Sequence, residues 1–359
     1  MKSAIIGGTG YGAVELVRLL DKHPNIELVK VISNSQSGTD IQDVYPHLSN
    51  ILNIQLSELN IQSLCEEVDV VFFATPAGVS KEYIPELHKQ GVKCIDLSGD
   101  FRLKNPQNYE TWYGKSSAET TYLEKATYGL SEIYGDDIKN SEIIANPGCY
   151  PTAALLGLIP AINNKMIDPK TIIIDGKSGV SGAGRGVSLN THYSEINENL
   201  KAYKLGQHQH IPEIEQAIEW SAAAVAAASA NHAELESIPV SFSTHLTPMT
   251  RGIMCTMYAQ LTDPSSATVS AFIEHYESFY ESHPFVRIRP EGTWPSTKEV
   301  SGSNYCDIGF QVDARTGRVT IVSVIDNLMK GAAGQAVQNL NLMNGWDVQM
   351  GLTDIPMYP

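Results

Sequence analysis

The sequence has few cysteines and no long apolar run, and both shortages limit what the protein can be. Its five cysteines, at positions 65, 94, 149, 255 and 306, are odd in number and widely spaced, which argues against a disulfide framework and a zinc site. No apolar stretch reaches the ~18 residues of a membrane-spanning helix, and residues 1–6 lead into a glycine turn rather than a signal peptide. The sequence therefore predicts a soluble protein of the reducing cytoplasm, without a bound metal.

Basic residues are also in short supply, since 25 Lys and Arg face 40 Asp and Glu, a formal net charge of −15. No Lys/Arg cluster stands out that could bind phosphate backbones or anionic lipid, so neither nucleic acid nor a membrane surface is an expected partner. An acidic substrate would be repelled at long range and would need local arginines and backbone N–H groups to bind. The composition is that of a globular protein, and 359 residues are enough for two domains.

Strand-like and helical segments alternate in the first half of the chain. Short apolar runs typical of strands occur at residues 3–6, 27–32, 68–74, 92–97 and 142–145, and helical patterns lie between them at 14–22 and 81–90. This alternation predicts an α/β domain with a doubly wound parallel sheet, the Rossmann arrangement.

The pattern changes from about Pro151. A helix, a strand at 171–175 and a long glycine-rich, polar stretch come first, and longer strand candidates follow at 238–245, 253–261, 306–312 and 319–325. The alanine-rich segment 222–230 is interpreted as a continuation of a helix over 213–220. We expect a second, α+β domain with a mixed sheet, and a final helix at about 328–342 that returns to the first domain.

A glycine-rich segment, GGTGYGA at residues 7–13, follows the first predicted strand and opens the first helix. Glycines allow a tight turn there, and N–H groups at the helix N-terminus can meet a pyrophosphate. The spacing departs from strict GxGxxG, so a purely structural turn is the rival interpretation. The order of strand, turn and helix favours nucleotide binding, with Gly7, Thr9, Gly10, Tyr11 and Gly12 as the contacts.

The loop after the second strand predicts which nucleotide binds. A NAD site usually carries Asp or Glu there to bond the ribose 2′-hydroxyl, whereas this loop reads SNSQS at 33–37, without a carboxylate to repel a 2′-phosphate. The sequence therefore favours NADP(H), although the loop has no arginine and the direction of Lys30 is left open. The predicted contacts are Ser33, Ser35 and Ser37, with Thr75 and Pro76 after the third strand unless that segment is a simple loop.

Cys149 is the candidate nucleophile. The segment NPGCYPT at 146–152 follows a predicted strand and opens an apolar helix, so the cysteine is expected at a helix N-terminus, where N–H groups and the macrodipole stabilise a thiolate and lower its pKa. A lone cysteine is more often a buried small hydrophobe. Here the prolines and glycine fix a turn near the predicted domain boundary, where a substrate cleft belongs. The other four cysteines are interpreted as packing residues.

Two histidines, His208 and His210, precede a predicted helix and could supply the base that a cysteine nucleophile needs. Pro212 suits the first helical turn, and Glu213 could orient or charge-support His210. No third ligand shares the spacing, so a metal site is disfavoured, and a structural role is the remaining alternative. We prefer His210 as the acid/base and leave open whether His208 takes that role.

Three arginines are candidates for anion recognition. Arg102, in DLSGDFR at 96–102, could fork onto a phosphate. The segment SGVSGAGR at 178–185 is predicted to be a flexible loop with exposed N–H groups that cradles an anion or covers the nicotinamide, through Ser178, Ser181, Gly182 and Arg185. Arg251 is the third, and a surface salt bridge is the alternative role for each arginine.

Together these motifs resemble the N-acetyl-gamma-glutamyl-phosphate reductase family, which is related to aspartate-semialdehyde and glyceraldehyde-3-phosphate dehydrogenases. The matching pieces span nearly the whole chain in order: GGTGYGAVEL at 7–16, DLSGDFRL at 96–103, NPGCYPT at 146–152, SGVSGAGR at 178–185, HQHIPEI at 208–214 and HLTPMTRGI at 245–253. The family's usual glycine loop has one more residue before its last glycine, and its adenosine-side loop often carries an arginine that is absent here.

The resemblance implies a glyceraldehyde-3-phosphate dehydrogenase-like fold, with residues 1–148 and 327–359 as the NADP-binding domain and 149–326 as the catalytic and oligomerisation domain. It implies reductive dephosphorylation of an acyl phosphate by NADPH through a Cys149 thioester, with inorganic phosphate released. His210, held by Glu213, would move protons, and the Cys149 N–H and Asn146 would stabilise the oxyanion. A homo-oligomer, dimer or tetramer, is expected.

Two other functions compete with this one. A related lysine-pathway enzyme would reduce an aminoadipyl or carrier-linked acyl phosphate, but an acidic carrier protein would need a basic rim that a chain of charge −15 does not favour. A regulatory Rossmann protein could sense NADP without catalysis, but this leaves Cys149, the two histidines and the second domain without a purpose.

Overall fold

The computed structural model describes residues 1–228 and 237–358. The chain divides into two compact units. Unit 1 comprises Met1–Pro147 and Ala332–Thr353, and unit 2 comprises Gly148–Gly331 and Asp354–Pro359.

Unit 1 is built on a six-stranded sheet in which all neighbouring strands are parallel. The strands are β1 (Lys2–Ile6), β2 (Glu27–Ile32), β3 (Val70–Phe73), β4 (Lys93–Asp96), β5 (Thr127–Tyr128) and β6 (Ile143–Ala145), in the order β2-β1-β3-β4-β6-β5. The helices are α1 (Tyr11–Asp21), α2 (Ile41–Val44), α3 (Ile61–Glu67), α4 (Ser80–Lys89), α5 (Pro106–Tyr113), α6 (Thr120–Lys125) and α7 (Ser131–Lys139).

The central strands of unit 1 are apolar because both of their faces are covered. All four residues of β3 are fully buried, and a core of side chains from β1, β3, β4 and the helices packs around them. Strands buried on two faces are continuously hydrophobic rather than alternating, which is the pattern that the sequence shows. The Rossmann prediction is confirmed.

Unit 2 is built on a seven-stranded mixed sheet in the order β11-β12-β13-β10-β7-β9-β8. The strands are β7 (Ile167–Gly179), β8 (Lys201–Tyr203), β9 (Ser241–Thr247), β10 (Ile253–Leu261), β11 (Val286–Ile288), β12 (Cys306–Asp313) and β13 (Arg318–Ile325). The helices are α8 (Cys149–Asn163), α9 (Tyr193–Ile196), α10 (Ile211–Ala228) and α11 (Val269–Phe279). The predicted mixed sheet is confirmed. Of the predicted alanine-rich helix, residues 229 and 230 lie outside the described part.

Helix α8 is the buried centre of unit 2, and every residue from Tyr150 to Ile162 is buried. Pro160 lies inside it and has no N–H for the carbonyl of Leu156. The Tyr280 hydroxyl donates to that carbonyl at 2.6 Å, and the Tyr276 hydroxyl donates to the neighbouring Gly157 carbonyl at 2.6 Å. Tyr280, just after α11, therefore supplies the donor that Pro160 lacks in the helix that begins with Cys149, and Tyr276 adds a hydrogen bond to the next carbonyl.

Three predicted elements differ in the structure. The strand expected at 171–175 is 13 residues long, because β9 and β10 pair with it over most of its length. The strand expected at 238–245 starts three residues later, at Ser241, and ends at Thr247. The helix expected at 328–342 opens as a π-helix over Met329–Ala333, and α12 (Gly334–Met343) continues it within unit 1.

Candidate active site

The glycine segment at the start of unit 1 joins β1 to α1 in a tight turn. Gly7 has φ +92°, and a Cβ there would lie 2.4 Å from the Ala74 carbonyl oxygen. A Cβ on Gly8 would lie 2.3 Å from a methyl of Val31. The fold itself therefore requires glycine at both positions, because the turn packs against β2 and the end of β3.

Gly10 and Gly12 are different, because the protein leaves space beside them. A Cβ on Gly10 would make only ordinary contacts at 3.7 Å or more, and none of the described residues comes within 4 Å of a Cβ on Gly12. Gly10 is the N-cap of α1, has no side chain to cap it, and no acidic residue lies in the first turn. Space beside the backbone, unpaired helical N–H groups and the positive end of the helix dipole suit a phosphate-bearing ligand.

The neighbouring loops offer neutral polar groups to such a ligand. The Thr75 hydroxyl oxygen is buried and has no hydrogen-bond partner among the described residues, and its methyl group would be 3.2 Å from a Cβ on Gly7. The Ser33 and Ser35 hydroxyls are 3.4 Å apart, and Ser37 and Pro76 are exposed. These groups fit a nucleotide beside the glycine turn.

The Lys30 side chain is bonded to helix α3 in unit 1. Its ammonium group donates to the Ser63 hydroxyl at 2.8 Å and lies 2.7 Å from the Glu67 carboxylate on α3. The direction that the sequence left open is thus toward α3.

Tyr45 is a residue of this site that the sequence did not reveal. Its buried hydroxyl lies 2.8 Å from the Thr9 carbonyl oxygen and 3.2 Å from that of Gly10. A hydroxyl shared by these two carbonyls holds the glycine turn in place. No motif marks Tyr45, because it is 35 residues away from the turn in sequence.

Arg102 and Asn146 are buried and bonded inside unit 1. The Arg102 guanidinium donates to the carbonyl of Asn146 at 2.8 Å and to that of Leu97 at 2.9 Å. The Asn146 amide donates to the Ala332 carbonyl at 3.1 Å and accepts from Asn339 at 3.0 Å. Arg102 thus fixes the backbone at the ends of β4 and β6, and the Asn146 side chain ties the end of β6 to Ala332 and Asn339.

Asp100, in the same motif as Arg102, has a structural role. Its buried carboxylate accepts from the Gly78 N–H at 2.6 Å, from the Ser80 hydroxyl at 2.9 Å and from the Tyr109 hydroxyl at 2.6 Å. It therefore ties the start of α4 to α5. The carboxyl of Asp96 is also buried, and burial beside Asp100 raises its pKa.

Cys149 is the first residue of α8 and is partly exposed. Gly148 is the N-cap, and the first turn has no acidic residue. On its other side Cys149 meets the π-helix, because a Cβ on Gly331 would lie 2.8 Å from its own Cβ. Cys94, Cys255 and Cys306 are buried, and burial raises the pKa of the Cys65, Cys94 and Cys255 thiols, as expected of packing residues.

The His210 ring packs directly onto the turn that precedes Cys149. A Cβ on Gly148 would lie 2.5 Å from His210 Nε2 and 2.8 Å from the two adjacent ring carbons. The Gly148 N–H donates to the buried Glu213 carboxylate at 2.8 Å. Two predicted residues from the start of α10, His210 and Glu213, are thus brought together with the N-terminus of α8.

His208 is buried behind His210. Its Nδ1 accepts the His210 backbone N–H at 3.1 Å. Burial, with a smaller contribution from Lys204, lowers the pKa of His208 to about 4.

The segment 178–185 is not the open loop that the sequence predicts. Ser178 is the last residue but one of β7 and is buried, and residues 180–183 form a short 3-10 helix. The N–H groups of Gly179, Val180 and Ser181 donate to carbonyls of residues 249–252. Those N–H groups are therefore not exposed for an anion, because the segment pairs with the loop that carries Arg251.

The side chains of this segment gather around Asn327, which the sequence did not single out. Asn327 donates to the Ser181 hydroxyl at 2.9 Å and accepts from the Gly252 N–H at 2.7 Å. A Cβ on Gly182 would lie 2.9 Å from the Ser178 hydroxyl. Arg251 lies 3.5 Å from the buried Asp326 carboxylate, and Arg185 is exposed.

Within residues 1–228 and 237–358, no group of His, Cys, Asp and Glu side chains is arranged to hold a metal ion. None of the helices in this part of the chain combines the length and apolar character needed to cross a bilayer.

Comparison with known families adds to this geometry. The family model described as the semialdehyde dehydrogenase NAD binding domain matches residues 2–141, and the one described as the semialdehyde dehydrogenase dimerisation domain matches residues 149–327. The two matches cover most of the chain and define its class as that of the semialdehyde dehydrogenases.

Curated relatives narrow the class. The N-acetyl-gamma-glutamyl-phosphate reductase of Oceanobacillus iheyensis is 54% identical over 359 residues, covering 100% of this chain and 99% of that protein. The enzyme of that name from Bacillus subtilis is 50% identical and covers 100% of both chains. The chain belongs to the N-acetyl-gamma-glutamyl-phosphate reductase family, so the resemblance seen in the motifs is confirmed.

Solved structures share the fold. Aspartate semialdehyde dehydrogenase II from Vibrio cholerae matches with a TM-score of 0.69 at 19% identity, over 96% of this chain and 98% of that one. The aspartate semialdehyde dehydrogenase from Candida albicans, solved with NADP, matches with a TM-score of 0.64 at 16% identity, over the same shares of the two chains. The predicted fold class is confirmed.

Proposed function

We propose that this chain is an oxidoreductase of arginine biosynthesis that reduces N-acetyl-gamma-glutamyl phosphate to N-acetylglutamate 5-semialdehyde with NADPH. The observation that carries the proposal is in unit 2, where a partly exposed cysteine begins a buried helix and an imidazole packs on the glycine before it. The family relationship, with relatives named for this reaction at about half identity over the full chain, supports the same substrate.

Unit 1 would hold the cofactor. The turn at Gly7, Thr9, Gly10, Tyr11 and Gly12 would bind its pyrophosphate on the N-terminus of α1. The hydroxyls of Ser33, Ser35 and Ser37 would meet a 2′-phosphate, because the loop has no carboxylate to repel it. Thr75 and Pro76 would line the same edge of the sheet, and Ser178 and Gly182 would meet the nicotinamide. When bound, NADPH supplies the hydride that reduces the acyl group.

Cys149 would act as the nucleophile. N–H groups in the first turn of α8 and the positive end of its dipole favour the thiolate. The sulfur attacks the acyl carbon, the C–S bond forms, and the C–O bond to phosphate breaks, with its electron pair leaving on phosphate. Reduction of the thioester gives a hemithioacetal, which collapses to the aldehyde and returns the thiolate. One hydride and one proton are consumed in each turnover.

His210 would supply that proton to the departing phosphate, because its ring lies against the residue next to Cys149. We assign Glu213 to the same machinery through its bond to the Gly148 N–H, which fixes the turn that carries the sulfur. The oxyanion would be held by the N–H of Cys149, with Asn146 fixing the backbone before it. Arg102, Ser181, Arg185 and Arg251 are the proposed contacts of the substrate's anionic groups.

We further infer a homo-oligomer and a cytoplasmic location. The match of residues 149–327 to a domain described as a dimerisation domain supports association through unit 2. A reducing compartment suits a reaction that needs a free thiol.

The test follows the reverse reaction, NADPH formation from N-acetylglutamate 5-semialdehyde, NADP and inorganic phosphate. Wild type should turn over, and Cys149→Ala should lose roughly 10⁴-fold or more in kcat while it keeps NADPH binding in a fluorescence titration. Cys65→Ala, which removes the other partly exposed cysteine, is the matched control and should match wild type. Wild-type turnover by Cys149→Ala would refute the mechanism. An inactive wild type would instead direct the assay to an aminoadipyl or carrier-linked substrate.

A further inference from the structure

The two histidines before α10 occupy unlike environments, and the difference separates their roles. The His208 ring lies among the rings of Tyr150, Tyr203 and Phe242, with centroid distances of 5.6, 5.7 and 5.6 Å, and all three pairs meet edge to face. The His210 ring lies 4.7 Å away and faces the Gly148 backbone instead. One imidazole is enclosed by aromatic rings, and the other lies beside the cysteine turn.

The hydrogen bond of His208 fixes its protonation state. Nδ1 accepts the His210 N–H at 3.1 Å, so in the folded chain the ring proton of neutral His208 belongs on Nε2. A proton added to Nδ1 would break this bond and leave the His210 N–H opposite another donor. Burial of the ring and the positive charge of Lys204 also disfavour the protonated form and lower the pKa of His208.

We propose that His208 is a positioning residue: its neutral Nδ1, held in the aromatic cage, fixes the His210 backbone so that the His210 ring stays on Gly148 beside Cys149. This inference rests on the proposed function for the identity of the reaction. It assigns proton transfer to His210 alone. It also gives Tyr203 and Phe242 a purpose, the fixing of the His208 ring, while Tyr150 contacts both imidazoles.

Two substitutions distinguish the hydrogen bond that His208 accepts from the space that its ring fills. His208→Asn keeps a side-chain acceptor for the N–H two residues ahead, as in an Asx-turn, but removes the ring. His208→Phe keeps an aromatic ring of similar size and removes the acceptor. We expect His208→Phe to lose roughly 10- to 100-fold in kcat because the base is misplaced, with KM little changed. We expect His208→Asn to recover most of that loss.

The contrary outcomes are distinct. If His208 were the acid/base, both variants would lose kcat equally, by roughly 10²- to 10⁴-fold. If it only filled space, His208→Phe would match wild type and His208→Asn would be the worse variant. Either result overturns the proposal. Thermal unfolding of each variant shows whether it is folded at the assay temperature, and a second readout covers a variant that is not active.

That second readout is the pH dependence of Cys149 alkylation by iodoacetamide, measured without substrate. His208→Phe should shift the midpoint of alkylation away from that of wild type, toward that of His210→Gln, and His208→Asn should restore it. Unchanged midpoints in all variants would overturn the positioning role. Because this measurement needs no acyl phosphate, it stands even if the proposed substrate is wrong.

Discussion

Each unit contains a helix that begins after a strand and a glycine. The two helix N-termini differ in their surroundings. Helix α1 follows β1 through Gly10, and helix α8 follows β6 through Gly148; neither N-cap has a side chain, and neither first turn has an acid. Both helices therefore begin with backbone N–H groups and the positive end of a helix dipole. In local sequence pattern the two helix starts are therefore alike.

The two helix starts differ in the space beside their glycines. Space remains beside Gly12, where none of the described residues comes near a Cβ, whereas the space beside Gly148 is filled by the His210 ring. The first terminus is left open for a ligand from solution. The second is already equipped with an imidazole and the Glu213 carboxylate. Under the proposed function, the same local motif would serve cofactor binding in one unit and covalent chemistry in the other.

The largest effect should come from adding a methyl group at the start of α8, where the His210 ring already fills the space. In Gly148→Ala the added methyl would lie 2.5 Å from His210 Nε2, so the ring must move. We expect kcat to fall by roughly 100-fold, because a displaced base loses its alignment with the reacting group, while NADPH affinity stays the same. Gly135→Ala, whose added Cβ would make one ordinary contact at 3.9 Å, is the control. Normal kcat in Gly148→Ala would contradict the conclusion that the His210 ring must lie against Gly148 for the reaction.

A pH effect on stability should follow from the burial of His208. Burial lowers the pKa of His208 from 6.5 to about 4, so between these values the unfolded chain binds a proton that the folded chain does not. The contribution is fully present above pH 6.5 and is lost as the pH falls toward 4. At pH 5 the free energy of unfolding should be about 2 kcal/mol lower than at pH 8 from this residue. Urea unfolding of wild type and His208→Phe measures it, and equal pH slopes in the two proteins would contradict it.

At the start of α1, where space remains beside Gly12, an added methyl group should stabilise the protein and weaken cofactor binding. Gly12→Ala places a methyl where the protein leaves room, inside a helix, so the free energy of unfolding should rise by roughly 0.5 kcal/mol. The methyl would occupy space that a bound pyrophosphate needs, so the Kd for NADPH should increase by roughly 10-fold, a cost of about 1.4 kcal/mol. Fluorescence titration and thermal unfolding of the same samples test both parts. An unchanged Kd would mean that the ligand does not approach Gly12.

The smallest effect should come from removing the hydroxyl that supports the glycine turn before α1. Tyr45→Phe removes the hydroxyl shared by the Thr9 and Gly10 carbonyls. We expect roughly a threefold weaker NADPH affinity, since one neutral hydrogen bond contributes about 1 kcal/mol or less. The reactivity of Cys149 toward iodoacetamide should not change, because Tyr45 belongs to unit 1. A loss of alkylation rate would show that the two termini do not act separately.

Much of the fold and of the site follows from local pattern. The five predicted strands of the first half appear as strands of unit 1, because continuous apolar runs are what a sheet covered on both faces requires. Cys149 begins a helix because a proline and glycine turn precedes an apolar helical run. The histidines and Glu213 were found because they cluster within six residues of one another.

Other features could not be found this way. The length of β7 depends on pairing with β9 and β10, which are far away in sequence. The glycines and serines of segment 178–185 predict an open loop, because they carry no information about the carbonyls of 249–252 that bind its N–H groups. Tyr45 and Asn327 carry no motif, and only the folded chain brings them to the residues that they hold.

Local pattern was enough to predict the fold class, the family, and the two helix N-termini that follow a glycine, because these depend on residues adjacent along the chain. The folded chain was needed to show which glycines are required for packing and which leave space, and which histidine is enclosed and which faces the cysteine turn. Space and burial are set by contacts between distant segments. Charge, helix dipole and turn geometry are set locally.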